Sequence, residues 1–425
     1  MGTRIVVLGG GFAGIPLAHT LSRLLGRDPA FEITLVSDHN YFLFTPMLAE
    51  AATGAVEIRH ILRPIRPFCK MTGIAFQQRV VEHIDLEAKR VHVLPSGTGR
   101  AHAIGYDYLV LALGAVSKFM GLPGVEEHAL PLKDVGDAIR IRNHVIEMFE
   151  QADIEEDPNR KAALLTFVTV GGGHAGVEIA TALQDLMHRT LLTHYRNIRA
   201  GELRQVLIAP AILGHRNPPL ANLVLDVIHR KGIVIHLGPS VVGTSAEAVV
   251  LSDGQRIPTH TLIWTAGVSA HPLVAGLPCE RDKNGRIVVN EYFEVPGHSG
   301  VYALGDCAHQ ADPGTRQPYP MTAQAALRQA PAAARMIAAA VRGLPRRPFA
   351  FRPVGEMVPL GARYAVADIR GVLLRGFVAW WLWRTYYLLR MPGIATKVRL
   401  IFDWTIDLFF GRDISEITIR SGRGE

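Results

Sequence analysis

Two stretches of the chain share one pattern of hydrophobic and polar positions. Residues 4–8 (Arg-Ile-Val-Val-Leu) and residues 165–170 (Leu-Thr-Phe-Val-Thr-Val) are β-branched runs, and each ends in a glycine-rich turn. An Ala/Leu-rich segment with helical periodicity follows each turn. Short apolar runs bounded by glycine are typical of buried strands, so each stretch predicts a strand, a tight turn and a helix.

The same reading extends to the rest of the chain. Apolar runs predict further strands near residues 31–36, 106–114, 205–208 and 300–306, and helices are expected over 134–151 and 323–341. The acidic run 153–160, which contains Asn and Pro, predicts a surface linker. Because strands alternate with helices, the predicted fold class is α/β, with two Rossmann-like domains and the second inserted in the first.

The two turns carry the glycine spacing of dinucleotide-binding loops. The first glycine permits the tight turn, the second lets the backbone approach a pyrophosphate, and the third lets the helix pack close to the strand. The helix N-terminus then offers N–H groups to the phosphates. The glycines are Gly9, Gly11 and Gly14 in the first copy and Gly171, Gly173 and Gly176 in the second. Two such sites predict two nucleotides, for which a flavin and a nicotinamide are the natural pair.

The C-terminal region has a different composition, with four of the five tryptophans after residue 370. A helix there would place Ile394, Val398, Ile401, Phe402, Thr405, Leu408 and Phe409 on one face, with Arg399, Asp403 and Asp407 opposite. Its apolar runs are shorter than the roughly 20 residues that a spanning helix needs. We therefore expect a helical region that attaches to a membrane surface. The alternative is that this apolar face packs on the protein's own core or on a partner subunit.

Composition narrows the classes of partner. The net charge of +7 and pI near 9.4 suit an anionic lipid surface or phosphate-rich cofactors. Zinc-finger spacings, RNP-like aromatic patterns and long basic runs are absent from the sequence, so no nucleic acid is expected. The three cysteines are widely spaced and favour a reducing compartment, and the scattered histidines predict no metal site. The first strand begins within four residues of Met1, so no targeting segment is expected.

With these motifs placed, the chain resembles the type II NADH dehydrogenases, the single-subunit, non-proton-pumping NADH:quinone oxidoreductases. The resemblance covers nearly the whole chain and is carried by residues 40–48 (Asn-Tyr-Phe-Leu-Phe-Thr-Pro-Met-Leu), 171–178, 264–268, 303–308 and 320–324. It implies FAD at the first glycine turn, NADH or NADPH at the second, and a membrane quinone as electron acceptor. It also implies a peripheral protein on the cytoplasmic face of the cell membrane, and it leaves a homodimer open.

The resemblance divides the chain by cofactor. Residues 1–155 and 296–350 would bind FAD, residues 156–295 would bind NAD(P)H, and residues 351–425 would attach to the membrane. The implied FAD residues are Gly9, Gly11, Phe12, Ala13, Gly14, Ser37, Asp38, Thr45, Gly114, Gly305, Asp306 and Ala323. The implied NAD(P)H residues are Gly171, Gly173, His174, Ala175, Gly176, Gly267 and Val268.

The resemblance also implies where the chemistry takes place. Glu178 would face the reaction region of the flavin, although a glutamate in the first turn of a helix is also simply favourable for the helix dipole. Gln324 would act with it, and Gln324, Arg328 and Gln329 would contact the quinone. Arg328 stands where the family has the first of two consecutive glutamines, so an arginine would either hydrogen-bond a quinone carbonyl or narrow its tunnel.

Two positions depart from the usual ribose contacts. An acid usually follows the second strand of each domain, but here Ser37 precedes Asp38 in the first, and Ala209-Pro210 follows in the second. A carboxylate after Ile208 would hold the 2′-hydroxyl of NADH and repel a 2′-phosphate. Its absence removes a reason to exclude NADPH, and Arg216 downstream would suit a phosphate.

Two alternative classes share these motifs. Sulfide:quinone and disulfide reductases use paired cysteines beside the flavin, whereas Cys307 has no neighbour in sequence, and Cys69 and Cys279 are expected in different domains. A flavoprotein that binds nucleotide as a sensor, with little turnover, is the other alternative. Rapid flavin bleaching by NADH would distinguish an enzyme from a sensor.

Overall fold

A computed structural model of the chain describes residues 2–26, 28–94, 102–215, 217–352, 355–391, 393–410 and 412–417. The strands are β1 Thr3–Leu8, β2 Phe31–Ser37, β3 Tyr41–Leu43, β4 Leu62–Pro64, β5 Ala75–Gln78, β6 Val81–Asp85, β7 Arg90–Val93, β8 His102–Gly105, β9 Tyr108–Leu111, β10 Ala115–Ser117, β11 Ala129–Pro131, β12 Thr166–Val170, β13 Arg204–Ala209, β14 Val234–Leu237, β15 Val241–Ser245, β16 Ala248–Leu251, β17 Arg256–Pro258, β18 Thr261–Trp264, β19 Val268–Ala270, β20 Ile287–Val289, β21 Val301–Ala303, β22 Ala308–Gln310, β23 Gly355–Pro359, β24 Ala365–Ile369 and β25 Val372–Gly376.

The α-helices are α1 Gly14–Leu25, α2 Leu48–Ala52, α3 Ile65–Thr72, α4 Val125–His128, α5 Val135–Ile154, α6 Pro158–Leu164, α7 His174–Arg189, α8 Pro218–Arg230, α9 Ala323–Val341, α10 Phe377–Arg390 and α11 Ile394–Phe409. Short 3₁₀ helices lie at Thr45–Met47, Ile58–Ile61, Leu191–Thr193, Ala200–Glu202, Leu213–His215, Pro272–Val274 and Gly305–Cys307. The helix expected over 323–341 has those bounds. The linker expected at 153–160 is instead divided between α5 and α6, because Asp157 caps α6 by accepting the N–H of Asn159.

The chain divides into two compact units. Unit 1 comprises 1–43, 62–116 and 268–352, and unit 2 comprises 44–61, 117–267 and 353–425. The units therefore change near residues 116 and 267, whereas the sequence placed the changes of domain near 155 and 295. Those predicted boundaries were assigned by cofactor, and as cofactor boundaries they stay predictions.

Unit 1 is built on a parallel sheet with the strand order β21-β9-β1-β2-β5. Residues 5–8 of β1 at its centre are fully or almost fully buried. Burial on both faces explains why this strand reads as a continuous apolar run rather than an alternating one. Helices α1 and α9 pack together on one side, where the small side chains of Ala330 and Ala333 permit a close approach.

Unit 2 contains a parallel sheet of the same construction, ordered β11-β18-β12-β13-β14. The strand that precedes its glycine turn, β12, is buried throughout and lies at the centre, as β1 does in unit 1. Along the chain, the strands of this sheet come after β9 and before β21 of the first sheet. The second Rossmann-like fold is therefore inserted in the first, which confirms the predicted α/β class.

The C-terminal part of unit 2 differs from the purely helical region that the sequence predicted. Strands β23, β24 and β25 form an antiparallel sheet before α10 and α11 begin. Gly371 and Gly376 bracket β25 with φ angles of 87° and 78°. These left-handed positions separate the strand from its neighbours, so the apolar residues 372–374 extend a hairpin instead of a helix.

Candidate flavin and nicotinamide sites

The first glycine turn connects β1 to α1 in unit 1, and the protein itself explains two of its three glycines. Gly9 has a φ of 112°, and a Cβ there would lie 2.2 Å from the carbonyl oxygen of Ala112. A Cβ on Gly14 would lie 1.9 Å from the carbonyl oxygen of Gly9. A Cβ on Gly11 would meet nothing within 4 Å. Packing therefore requires glycine at the first and third positions, while the second faces open space at the start of a helix.

The turn of unit 2 repeats this arrangement. Gly171 has a φ of 121°, and a Cβ on Gly176 would lie 1.9 Å from its carbonyl oxygen. Gly173, like Gly11, has nothing within 4 Å of an added Cβ. The two turns thus leave equivalent open cradles at helix N-termini, and a pyrophosphate fits such a cradle by size and charge.

Other predicted FAD residues of unit 1 lie beside the first turn. An added Cβ on Gly10 would be 2.8 Å from the Ser37 hydroxyl, so Ser37 packs against the turn. Gly305 meets Ala13 from the other side, at 3.1 Å for an added Cβ. Asp306 follows it in the short helix Gly305–Cys307. The structure therefore brings the turn, Ser37 and the Gly305-Asp306 pair together.

Asp38 and Gly114 belong to the same unit. The carboxylate of Asp38 is turned towards its own loop, where Oδ1 accepts the backbone N–H of His39 at 2.9 Å. Gly114 has a φ of 73°, and its carbonyl accepts the N–H of His271 at 3.3 Å. Thr45, also predicted to contact FAD, starts a short helix that belongs to unit 2.

The predicted quinone residues on α9 have different environments. Ala323 and Gln324 open the helix after Thr322, whose hydroxyl caps it by accepting the N–H of Ala325. Arg328 is exposed and lies over the ring of Phe351 at 5.9 Å. Gln329 is buried, accepts the N–H of Gly305 and donates to Gln310. Gln329 therefore contacts the loop of Asp306, a role that its sequence position did not indicate.

Three of the remaining predicted nicotinamide residues lie in the second turn and at the start of its helix. Gly173, His174 and Ala175 are exposed at the start of α7. Thr265 packs against the turn, since an added Cβ on Gly176 would lie 2.6 Å from the Thr265 hydroxyl. Gly267, at a φ of 150°, and Val268 stand at the change between units. Arg216, suggested for a 2′-phosphate, lies outside the described residues.

Glu178 lies one turn into α7 and is half-buried. Burial raises its pKa from 4.5 to about 8, with His174 opposing the shift and the charge of Glu50 adding to it. His174 in turn lies 3.0 Å from Glu356 of β23. Burial lowers the pKa of His174, but the hydrogen bond to Glu356 and the charge of Glu178 outweigh it, so the net shift is upwards. Glu178 can thus hold a proton at neutral pH, which an ordinary glutamate does not.

A cavity of about 30 Å³ adjoins Glu178 within unit 2. Its lining combines carboxylates, guanidinium groups and tryptophans: Pro46, Ala49, Glu50, Thr53, Ala55, Glu178, Ala182, Pro359, Gly361, Ala362, Trp380, Trp383, Arg384 and Arg412. Glu50, Glu356, Tyr387 and Arg384 were not predicted as site residues. Their place beside Glu178 depends on how α2, β23 and α10 pack on α7, which no local pattern reveals.

Two sequence profiles match the chain. The profile of the pyridine nucleotide-disulphide oxidoreductases matches residues 3–330, and that of the NDH2 C-terminal domain matches residues 354–413. A probable NADH dehydrogenase of Dictyostelium discoideum is 31% identical over 97% of this chain and 91% of its own length. The chain belongs to the type II NADH dehydrogenases. The resemblance read from the sequence is thereby confirmed.

Two further relatives support this membership. A type II NADH:quinone oxidoreductase of Mycobacterium tuberculosis is 31% identical over 95% of this chain and 87% of its own. The structure of NDH2 from Plasmodium falciparum in complex with NADH superimposes with a TM-score of 0.88, covering 98% of this chain and all of that one, at 18% identity. At that identity the superposition shows that this dehydrogenase shares the fold.

The cysteines of the dehydrogenase give no support to the disulfide-based alternative. All three are free thiols. All three belong to unit 1. Cys69 and Cys279 were expected in different domains, but they do not lie in different compact units. Burial raises the pKa of the Cys69 and Cys307 thiols to about 11 and also raises that of Cys279. Thiols held protonated in this way are poor nucleophiles.

Proposed function

We propose that this chain is an FAD-dependent NADH:quinone oxidoreductase in which unit 1 binds FAD and unit 2 binds NADH. The single observation that carries the proposal is the pair of glycines, Gly11 and Gly173, whose open surroundings no packing in the protein explains. When bound, FAD accepts a hydride from NADH and supplies two electrons to the quinone. The protein binds both nucleotides, orients them and manages protons.

The residues of unit 1 divide this work. Gly9, Gly11, Phe12, Ala13 and Gly14 hold the pyrophosphate at the positive end of α1. Ser37 and Asp38 bind the adenosine ribose. Gly114 lies on the adenine side, and Asp306 binds the ribityl chain. Ala323 contacts the flavin ring. Gln329 supports the Asp306 loop from behind.

The residues of unit 2 bind the donor and hold a proton. Gly171, Gly173, His174, Ala175 and Gly176 hold the NADH pyrophosphate, with Gly267 nearby; Val268 follows it in sequence as the first residue of the next segment of unit 1. Glu178, kept protonated by its surroundings, acts as a proton donor, and in unit 1 Gln324 and Arg328 orient the quinone. Ala209 and Pro210 supply no carboxylate to repel a 2′-phosphate, so NADPH is accepted as a second donor.

Anaerobic mixing tests the function directly. NADH added to the FAD-loaded protein is expected to bleach the flavin absorbance, and a soluble quinone is expected to restore it. Bleaching that only oxygen reverses would exclude the quinone step. No bleaching with either nicotinamide would instead favour the sensor.

We also propose attachment to an anionic membrane surface on its cytoplasmic face, where the quinone substrate is dissolved. The described residues contain no helix long and apolar enough to cross a membrane. Helix α11 nevertheless exposes Ile394, Val398, Ile401, Phe402 and Phe409 by 45–82%. Its opposite face packs inwards through Leu400 and Trp404, so the apolar face does not pack on the protein's own core. A homodimer remains the competing occupant of this face.

A further inference from the structure

A second carboxylate, that of Glu50, lines the small cavity of unit 2 together with Glu178. The proposed function gives Glu50 no role. Glu50 comes from α2 and Glu178 from α7, and both side chains line the cavity. A volume of about 30 Å³ has room for water where polar groups surround it. Here Glu50, Glu178, Arg384 and Arg412 supply those groups.

The reaction needs a proton at this point. Oxidation of NADH by a quinone follows NADH + H⁺ + Q → NAD⁺ + QH₂, so the hydride supplies both electrons and one of the two hydrogens. The second hydrogen is a proton taken from solvent in every turnover. Glu178 is half-buried at the wall of the cavity, and a proton that it gives up must be replaced through a neighbouring group or through water.

Glu50 is the acid placed to replace it. Its side chain is half-buried, as that of Glu178 is, and it lines the same cavity from α2, which packs on α7. We propose that Glu50 is a positioning and proton-relay residue that, through water in the cavity, returns to Glu178 the proton consumed by quinone reduction. In one cycle the Glu178 carboxyl loses its proton, the Glu50 carboxyl passes one to it, and solvent reprotonates Glu50. This inference rests on the proposed function of the chain.

Other charged groups act on the pair and set the balance between the two acids. They are His174 on the same helix as Glu178, Glu356 of β23 through its contact with His174, Arg384 and Tyr387 of α10, and Arg412 beyond α11. The two arginines favour ionisation of a neighbouring carboxyl, whereas Glu50 and Glu178 each disfavour ionisation of the other.

The isosteric variant E50Q tests the relay in the FAD-loaded protein. Infrared titration of the protonated carboxyl band, assigned by its loss in E178Q, reports the pKa of Glu178 without turnover. We expect E50Q to lower that pKa, because removal of a neighbouring negative charge makes ionisation easier. Reoxidation of the enzyme by a soluble quinone is expected to slow at least tenfold, while flavin reduction by NADH keeps its rate. E247Q, at an exposed turn between β15 and β16, is the matched control and should change neither.

The outcomes separate the relay from the function itself. A Glu178 pKa unchanged in E50Q, or a lowered pKa without slower reoxidation, would overturn the relay. If E50Q folds poorly, E50D keeps an acid on a side chain one methylene shorter and is expected to restore part of the rate of reoxidation by quinone. A reoxidation rate equal to that of the wild type in both E50D and E50A would also overturn the relay. Failure of the wild type to be reduced by NADH would refute the proposed function, whereas the infrared titration would still report on the carboxyl pair.

Discussion

The side-chain carbonyl of Gln329 lies 2.9 Å from the backbone nitrogen of Gly305 and accepts its hydrogen bond. The amide nitrogen of the same side chain donates to Oε1 of Gln310 at 3.2 Å, and only 2% of the residue is exposed. One end of the amide therefore holds the loop that carries Asp306, and the other end holds β22, which follows that loop. A glutamine placed in this way supports the proposed FAD site, whereas the resemblance assigned it to the quinone.

The variant Q329L is expected to weaken FAD binding. Removal of the amide leaves the Gly305 N–H without this partner, a loss of about 1–3 kcal/mol, or roughly 5- to 150-fold in Kd for FAD if the loss falls on the bound state. Titration of the apoprotein with FAD measures it, with R335Q on the exposed side of α9 as control. An unchanged Kd for FAD together with a raised KM for quinone would restore the quinone assignment.

Alanine substitutions should distinguish the glycines of each turn. G173A adds a methyl group to open space, so the melting temperature should stay within a few degrees while KM for NADH rises. G176A drives a Cβ to 1.9 Å from the carbonyl oxygen of Gly171, so the protein should be severely destabilised. Thermal unfolding and steady-state kinetics check both. Equal melting temperatures for the two variants would contradict this reading of the turn.

Glu178 is expected to make stability depend on pH. Its pKa is about 8 in the folded chain against 4.5 for an ordinary glutamate, so between these values the folded state binds the extra proton. The stabilisation is therefore complete below about pH 4.5 and is lost as pH rises through about 8. The melting temperature of wild type minus that of E178Q should fall from pH 5 to pH 9. A difference that is flat or rises with pH would show that Glu178 is not held protonated.

The glycine turns could be found from the sequence because local geometry dictates them, whereas the roles of Asp306 and Glu178 were implied by the resemblance to the family. A tight βα turn must have glycine where a Cβ would strike the backbone, and that requirement leaves a readable spacing. The long helices α5 and α9 were equally readable, since an apolar face and a capping residue mark each one. Both turns, both helices and the inserted sheet have the predicted order.

Glu50, Tyr387 and the role of Gln329 could not be found in this way. The positions of Glu50 and Tyr387 depend on tertiary packing between segments more than a hundred residues apart, such as α2 against α7. The role of Gln329 depends on contacts with residues 24 and 19 positions earlier in the chain. No period in the sequence marks either kind of contact. The β23–β25 sheet was missed for another reason. Val372, Leu373 and Leu374 are apolar at consecutive positions, a run that suits a helix and a strand equally, and only the flanking glycines distinguish the two.

The preference for NADH over NADPH is expected to be weak. No carboxylate follows Ile208 at the end of β13, where one would meet the ribose 2′-hydroxyl, and the exposed Pro210 lies one residue beyond Ala209. The ratio of kcat/KM for NADH to that for NADPH should therefore be far below a thousandfold. The variant P210D should raise the ratio at least tenfold through repulsion of the 2′-phosphate. A wild-type ratio of a thousandfold or more would mean that another group excludes NADPH.

Substitutions on the outer face of α11 should detach the protein from lipid without unfolding it. Phe402 and Phe409 are 62% and 77% exposed, so F402S/F409S removes little packing within the chain. Burial of one phenylalanine in lipid contributes about 1.5–3 kcal/mol, so loss of both should weaken binding to anionic vesicles at least a hundredfold. Co-sedimentation with vesicles measures this, and I154S, which removes an 80% exposed isoleucine at the end of α5, is the control. Unchanged vesicle binding combined with a change from dimer to monomer would assign the same face to a second copy of the chain.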